Sequence, residues 1–219
     1  MRKLFFRMAE ALGLLKPATT PFSDPIPYED IYNKPAADVR AFLVNTMEAH
    51  RVHFHRYRSF DPEALGFCEL NAGCFGRVYI SPCGRFVLKV SIHNDDDAYG
   101  TYVSLATKRD DNPFFPKVFC HLRSGNRNVV LTERLQPIAY DDMKAAAFVK
   151  DTRDRVVGKI PVLQKGRRRR HAKGYAELVE DLTVLVHLCG YRCDLARCNV
   201  MQRENEDGTV QYVVTDPVC

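Results

Sequence analysis

The sequence contains no run of eighteen or more uncharged apolar residues, no Cys-x-x-Cys pair and no internal repeat. The first absence excludes a helix that crosses a membrane. The second, with only 8 cysteines in 219 residues, argues against a secreted disulfide framework and for reduced thiols. The third points away from a repeat architecture. A signal peptide is also not expected, because the apolar stretch from Leu4 to Leu15 is broken by Arg7 and Glu10 and has no small-residue cleavage site. An intracellular location is therefore expected. What is present, 46% hydrophobic and 27% charged residues in 25.0 kDa, suffices for one substantial core or two small lobes and excludes disorder of the whole chain.

The net charge of +5 is unevenly spread. Residues 165–173, KGRRRRHAK, carry Lys165, Arg167, Arg168, Arg169, Arg170 and Lys173 with no acid, and His171 when protonated. Without this run the chain is close to neutral. Such a block is either a solvated loop or a surface for nucleic acid or an acidic protein face.

Residues 1–60 read as a helical, Pro-rich appendage. Leu4, Phe5, Met8, Leu12 and Leu15 fall on one face of a short helix. Pro17, Pro21, Pro25, Pro27 and Pro35 then punctuate an irregular connector. A second helix is predicted from a cap region at Asp38, with Val39, Phe42, Leu43, Met47 and His50 on its apolar face. His50, His53 and His55 stand close together, but Arg51, Arg56 and Arg58 would repel a cation there, so a solvated basic face is the expectation rather than a metal site.

Short β-type runs begin at Leu70. Arg77–Ile80 and Phe86–Val90 flank the turn signal Ser81-Pro82-Cys83-Gly84 and predict a hairpin. A helix opens near Asp95 to Asp97, where acidic charge suits a helix N-terminus, and a second hairpin is formed by Lys117–Leu122 and Asn128–Leu131. After Pro137 the chain turns helical. Tyr175, Leu178, Val179, Leu182, Leu185, Val186 and Cys189 recur at helical spacing until Gly190 stops the helix. A polar loop from Tyr191 to Cys198, a strand at Asn199–Gln202 and a strand at Val210–Thr215 follow.

Two clusters carry chemistry. In Leu70-Asn71-Ala72-Gly73-Cys74-Phe75-Gly76-Arg77-Val78, glycines between two strands let backbone amides approach phosphates, and Phe75 at the tip can cover them; an ordinary hairpin uses the same residues. Lys89 lies eleven residues beyond Val78 in an apolar strand, where an ammonium must snorkel or meet an anion, and a phosphate would satisfy it. The second cluster is Asp194-Leu195-Ala196-Arg197-Cys198-Asn199, followed by Thr215-Asp216-Pro217 at the end of a strand. Phosphoryl transfer to a hydroxyl needs a carboxylate near the attacking oxygen and oxygen ligands that hold a divalent metal, a set that Asp194, Asn199 and Asp216 offer. Capping and turn formation are the structural uses of the same residues. Cys189, Cys193 and Cys198 with His187 have irregular spacing for zinc, and the loop is already committed to Asp194 and Asn199.

These motifs resemble the protein kinase superfamily. LNAGCFGRV is similar to the glycine-rich LGxGxFGxV loop with Asn71 in place of its first glycine, FVLKV to the VAIK strand, TERL to the hinge, RCDLARCN to HRDLxxxN and TDPV to the DFG segment. The nearest type is the early serine/threonine kinase of podophages of the autographivirus group. The resemblance covers residues 66–219 and is weakest between 140 and 174.

The resemblance implies an α+β, two-lobed minimal protein-kinase-like fold: a small antiparallel sheet lobe at 61–136 and a reduced helical lobe at 137–219. ATP and Mg2+ are expected between the lobes. It further implies that Lys89 holds the α and β phosphates beneath Gly73, Phe75, Gly76 and Val78, and that Glu133 and Leu135 lie beside adenine. Asp194 would accept the hydroxyl proton, and Asn199 and Asp216 would hold magnesium.

The implied function is ATP-dependent phosphorylation of Ser or Thr on host proteins, including transcription and RNA-processing machinery, in the cytoplasm of a phage-infected bacterium. This would serve host takeover or shutoff. Two departures stand out. Residues 98–108 contain no Glu to pair with Lys89, leaving Asp97 as substitute, and the sequence continues only three residues past Asp216, so an activation segment and substrate-docking helices are not expected. Arg167 to Arg170 and residues 1–60 are the replacement partner surfaces. The alternative is a kinase-like protein with weak or no catalysis that inhibits a host enzyme such as RNA polymerase by direct binding. Nucleic-acid binding would rest on Arg167 to Arg170 alone.

Overall fold

The computed structural model describes residues 35–57, 59–73, 76–91, 97–161 and 174–219. The expected helix over Leu4–Leu15, most of the Pro-rich connector, Phe75 and the basic run with Arg167 to Arg170 lie outside these residues. The described chain is α+β, with four α-helices, a five-stranded sheet and a three-stranded sheet. No described helix is long and apolar enough to cross a membrane. The chain divides into two compact units, residues 1–93 with 119–132 and residues 94–118 with 133–219.

The first unit begins with α1 (Ala36–Tyr57), which starts two residues before the expected cap, so that Asp38 stands in its first turn near the positive helix end. β1 (Cys68–Ala72), β2 (Gly76–Ile80), β3 (Phe86–Ser91), β4 (Val118–Ser124) and β5 (Arg127–Glu133) form the larger sheet in the order β1-β2-β3-β5-β4. Both expected hairpins are present. Gly84 and Gly125 adopt φ of 71° and 61° in their turns, the left-handed region in which glycine avoids a Cβ clash.

Strand alternation sends Tyr79, Phe86, Leu88, Cys120, Leu122, Val129 and Leu131 to one core, and α1 covers it with Val39, Leu43, Met47 and Phe54. The grouping of residues 1–60 as an appendage is corrected here, because α1 supplies a third of the buried residues in the unit's core. Its apolar residues recur every three to four positions and match a sheet face that would otherwise be wet. His50, expected on the apolar face, is half-buried and meets the Phe60 ring edge-on at 5.8 Å.

The second unit holds α2 (Asp97–Lys108), β6 (Gln136–Pro137), α3 (Met143–Val156), α4 (Tyr175–His187), β7 (Val200–Glu204) and β8 (Val210–Val214). Asp142 caps α3, its Oδ1 accepting from the backbone N–H of Lys144 at 2.9 Å and Ala145 at 3.0 Å. α4 follows the apolar periodicity and buries Tyr175, Leu178, Val179, Leu182 and Leu185. β6, β7 and β8 pair antiparallel in that order. Phe114, Phe148, Tyr175 and Tyr212 pack ring against ring at 5.3–5.8 Å, joining the segment after α2 to α3, α4 and β8. The boundary at 136/137 is corrected: residues 94–118, which include α2, and residues 133–136 group with the later helices. The burial of Tyr102, Val103 and Ala106 on α2 and the Tyr102–Phe115 stack at 5.9 Å accompany that grouping.

Candidate active site

The candidate residues fall into one set in each unit. In the first, β1 and β2 run antiparallel with an irregularity between Glu69 and Asn71, and the Gly73 N–H donates to Gly76 O at 2.8 Å to close the turn. Val78 and Lys89 are direct cross-strand partners, as are Gly76 and Ser91. A Cβ on Gly76 would lie 2.9 Å from Val90 O, so glycine is required by the neighbouring strand, and 3.4 Å from Lys89 Cε, an ordinary contact. Gly73 differs. Among the described residues a Cβ there would meet Gly76 O alone, at 3.8 Å, an ordinary contact.

A buried polar strip continues this set toward β5. The Asn128 N–H donates to Ser91 Oγ at 3.1 Å, and its side-chain NH2 donates to Asn126 O at 3.1 Å. Asn128 Oδ1 therefore faces His121 Nε2 at 2.8 Å and accepts its proton, which fixes the imidazole tautomer.

In the second unit, residues 191–199 are laced to residues 215–219. Arg192 and Cys219 exchange backbone hydrogen bonds at 2.9 and 3.0 Å, the Asp194 N–H donates to Pro217 O at 2.7 Å, and the Thr215 N–H donates to Asn199 O at 2.9 Å. The Asn199 side-chain NH2 donates to Asp194 O at 2.8 Å and to Asp194 Oδ2 at 3.0 Å. Those two bonds orient the amide so that its other terminus is an acceptor oxygen, a hard donor like the Asp216 carboxylate on the neighbouring segment. This donor chemistry fits Mg2+. Among the described residues, no group of three or more His, Cys, Asp or Glu side chains is arranged to hold a metal ion.

Several supporting residues were not visible in the motifs. Tyr102 Oη donates to Val214 O at 2.5 Å and so pins the strand that leads to Asp216. Burial pushes this hydroxyl far above its ordinary pKa, and the nearby Tyr99 and Asp216 add to the effect. Tyr191 Oη donates to Asp97 Oδ2 at 2.6 Å, which raises the tyrosine pKa and engages the carboxylate proposed as the lysine's partner.

Arg197, inside the DLARCN motif, donates to the carbonyl oxygens of Tyr140 and, at 2.5 Å, of Asp142, with its guanidinium 5.6 Å from the Tyr140 ring centre. The loop at 191–199 is thereby fastened to the start of α3.

Glu133 makes an ion pair that the hinge reading did not foresee. Its carboxylate receives Arg203 Nε at 2.9 Å and Arg203 Nη2, and also the Lys117 N–H at 2.7 Å. Arg203 donates further to Pro113 O at 3.0 Å and Phe115 O at 3.1 Å. Leu135 follows, half-buried, before β6.

No family model matches the chain, and no curated protein is significantly similar to it in sequence.

Proposed function

We propose that the chain is a protein-kinase-type phosphotransferase that moves the γ-phosphoryl group of ATP to Ser or Thr hydroxyls of host proteins in a phage-infected bacterium. The observation that carries the reading is the lacing of residues 191–199 to 215–219, which places a carboxylate, an oriented amide and a second carboxylate on adjacent segments. Asp194 receives the hydroxyl proton as the acceptor oxygen bonds to phosphorus and the bond to the bridging oxygen of the leaving diphosphate breaks. Asn199 and Asp216 would hold Mg2+, which when bound neutralises phosphate charge.

Lys89 offers its ammonium to the α and β phosphates, and Gly73 suits close approach of backbone to phosphate. Glu133 and Leu135 are assigned to the adenine side through their backbone.

A second reading, a kinase-like protein that binds and inhibits a host enzyme such as RNA polymerase, is favoured by two observations. α2 carries no Glu, and Tyr191 engages Asp97 at its start.

Purified protein, radiolabelled ATP, Mg2+ and bacterial extract decide between them. Phosphoserine or phosphothreonine should form with wild type and fall at least about a hundredfold with Asp194→Ala and Asp216→Ala. Equal, background labelling by all three, with a host protein still captured by wild type, would establish the second reading instead.

A further inference from the structure

The last turn of α3 and the turn after it concentrate more cations than their two acids match: Arg155 Nε pairs with Asp151 Oδ2 at 2.8 Å, and three further cations surround Asp154. Asp154 is nearly buried, with its side chain 11% exposed, and serves Lys150 Nζ at 3.1 Å and Lys159 Nζ at 3.8 Å, while Arg153 acts on it electrostatically. Three cations thus share one carboxylate. The backbone N–H groups of Lys159 and Ile160 both donate to Asp154 O, at 2.8 and 3.1 Å, so the turn that carries Lys159 is held in place. Lys150 and Lys159 expose 73% and 69% of their side chains, and Arg153 is also exposed. His187 Nε2 donates to Val156 O at 2.7 Å, which sets the last turn of α3 beside the helix end that leads into the loop carrying Asp194, and on that loop the exposed Arg192 donates from Nε and Nη2 to Cys219 Sγ at 3.2 and 3.1 Å. The cationic group therefore continues from α3 to the loop that carries Asp194.

From this arrangement we infer that Lys150, Arg153, Lys159 and Arg192 form a docking surface for an acidic stretch of a polypeptide substrate, seated beside Asp194. The inference rests on the phosphotransferase reading for the word substrate, but the surface itself stands on charge and exposure. Its shape favours a peptide over nucleic acid. Duplex nucleic acid presents a charge about every 1.7 Å of axis and rewards a long cationic track, and single strands add aromatic stacking platforms. Among the described residues these four charges instead lie at one helix end and one loop. A few carboxylates on an extended peptide, about 3.3 Å apart per residue, match a placement of that kind.

The test uses the full chain and three fluorescent probes: a peptide with one Ser flanked by Glu, the same peptide with Gln for every Glu, and an oligothymidylate of equal charge. Anisotropy without ATP should show the Glu peptide binding more tightly than the Gln peptide, with a preference that shrinks as salt rises. The double variant Arg153→Ala, Arg192→Gln should weaken the Glu peptide by about three- to tenfold and leave the Gln peptide unchanged, and Arg153→Lys should retain most of the binding. Equal affinity of wild type for the two peptides overturns the proposal without reference to any variant. Tighter binding of the oligothymidylate, lost in the same double variant, overturns it in favour of nucleic acid. Phosphate transfer to the same peptides separates the two ideas. Selective binding without transfer keeps the surface and removes the kinase reading, whereas transfer without selectivity does the reverse.

Discussion

Removing the guanidinium of Arg203 tests how the second unit is held. Arg203 makes four hydrogen bonds, two to the Glu133 carboxylate and one each to Pro113 O and Phe115 O, with both charged side chains only 15% exposed. Arg203→Met keeps most of the stem but leaves Glu133 with the Lys117 N–H as its described partner. Breaking a pair buried to this degree costs about 3–5 kcal/mol, and the residual exposure places the expectation near the lower value, about 3 kcal/mol. Little of that is the intrinsic worth of the pair, since most of it is the cost of a stranded carboxylate.

The double variant Arg203→Met, Glu133→Gln should therefore recover at least about half of the loss. Urea denaturation supplies the stabilities, and hydrogen exchange at residues 113–117 and 200–204 confirms where the loosening occurs. A single-variant cost below about 1 kcal/mol, or a double variant no better than the single, would show that the bridge is a solvated pair and that the geometry has been overvalued.

Three further outcomes are expected. Gly76→Ala should destabilise by about 1–3 kcal/mol, because its Cβ must displace Val90 O, whereas Gly73→Ala should leave urea stability unchanged while weakening ATP binding; loss of stability at Gly73 would contradict the assignment. Burial lowers the pKa of both His121 and His50, so the unfolded chain binds more protons as pH falls through about 6.5, and stability present above that pH should be lost below it. Melting points at pH 7.5 and 5.5 measure the loss, and His121→Gln should reduce it; an unchanged slope would remove His121 as a contributor. Burial pushes the Cys120 thiol up to about 12, so alkylation should label exposed Cys68, Cys189 and Cys198 first and reach Cys120 only on unfolding.

What could be seen in the sequence was whatever repeats locally. α4 announces itself through Tyr175, Leu178, Val179, Leu182 and Leu185, and the hairpins through Ser81 to Gly84 and Ser124 to Asn126, because helix period and turn chemistry act over a few residues. β1 is exposed at every position and so carries no alternation to read. The role of α1 was obscured for another reason. Its apolar positions were recognised, but nothing in residues 36–57 tells that their partner is a sheet beginning at Cys68. Within the candidate site, Asp194 and Asn199 were legible from their spacing. Arg203 and Tyr191 were not, since their partners Glu133 and Asp97 stand 70 and 94 residues away and long-range charge pairing leaves no periodic trace.

The lacing of residues 191–199 to 215–219 has a consequence for how such a chain can vary. Asn199 and Thr215 close the base of the β7–β8 hairpin, whose tip at Asn205–Thr209 is fixed by its own hydrogen bonds. Everything between base and tip is a detour from one side of the site to the other. Residue pairs can be added to or removed from that detour, a tag or a whole domain can be inserted at Asp207-Gly208, and Asp194 keeps its register against Asp216. An insertion of a single residue between Thr215 and Pro217 has no such slack and moves the second carboxylate off its loop.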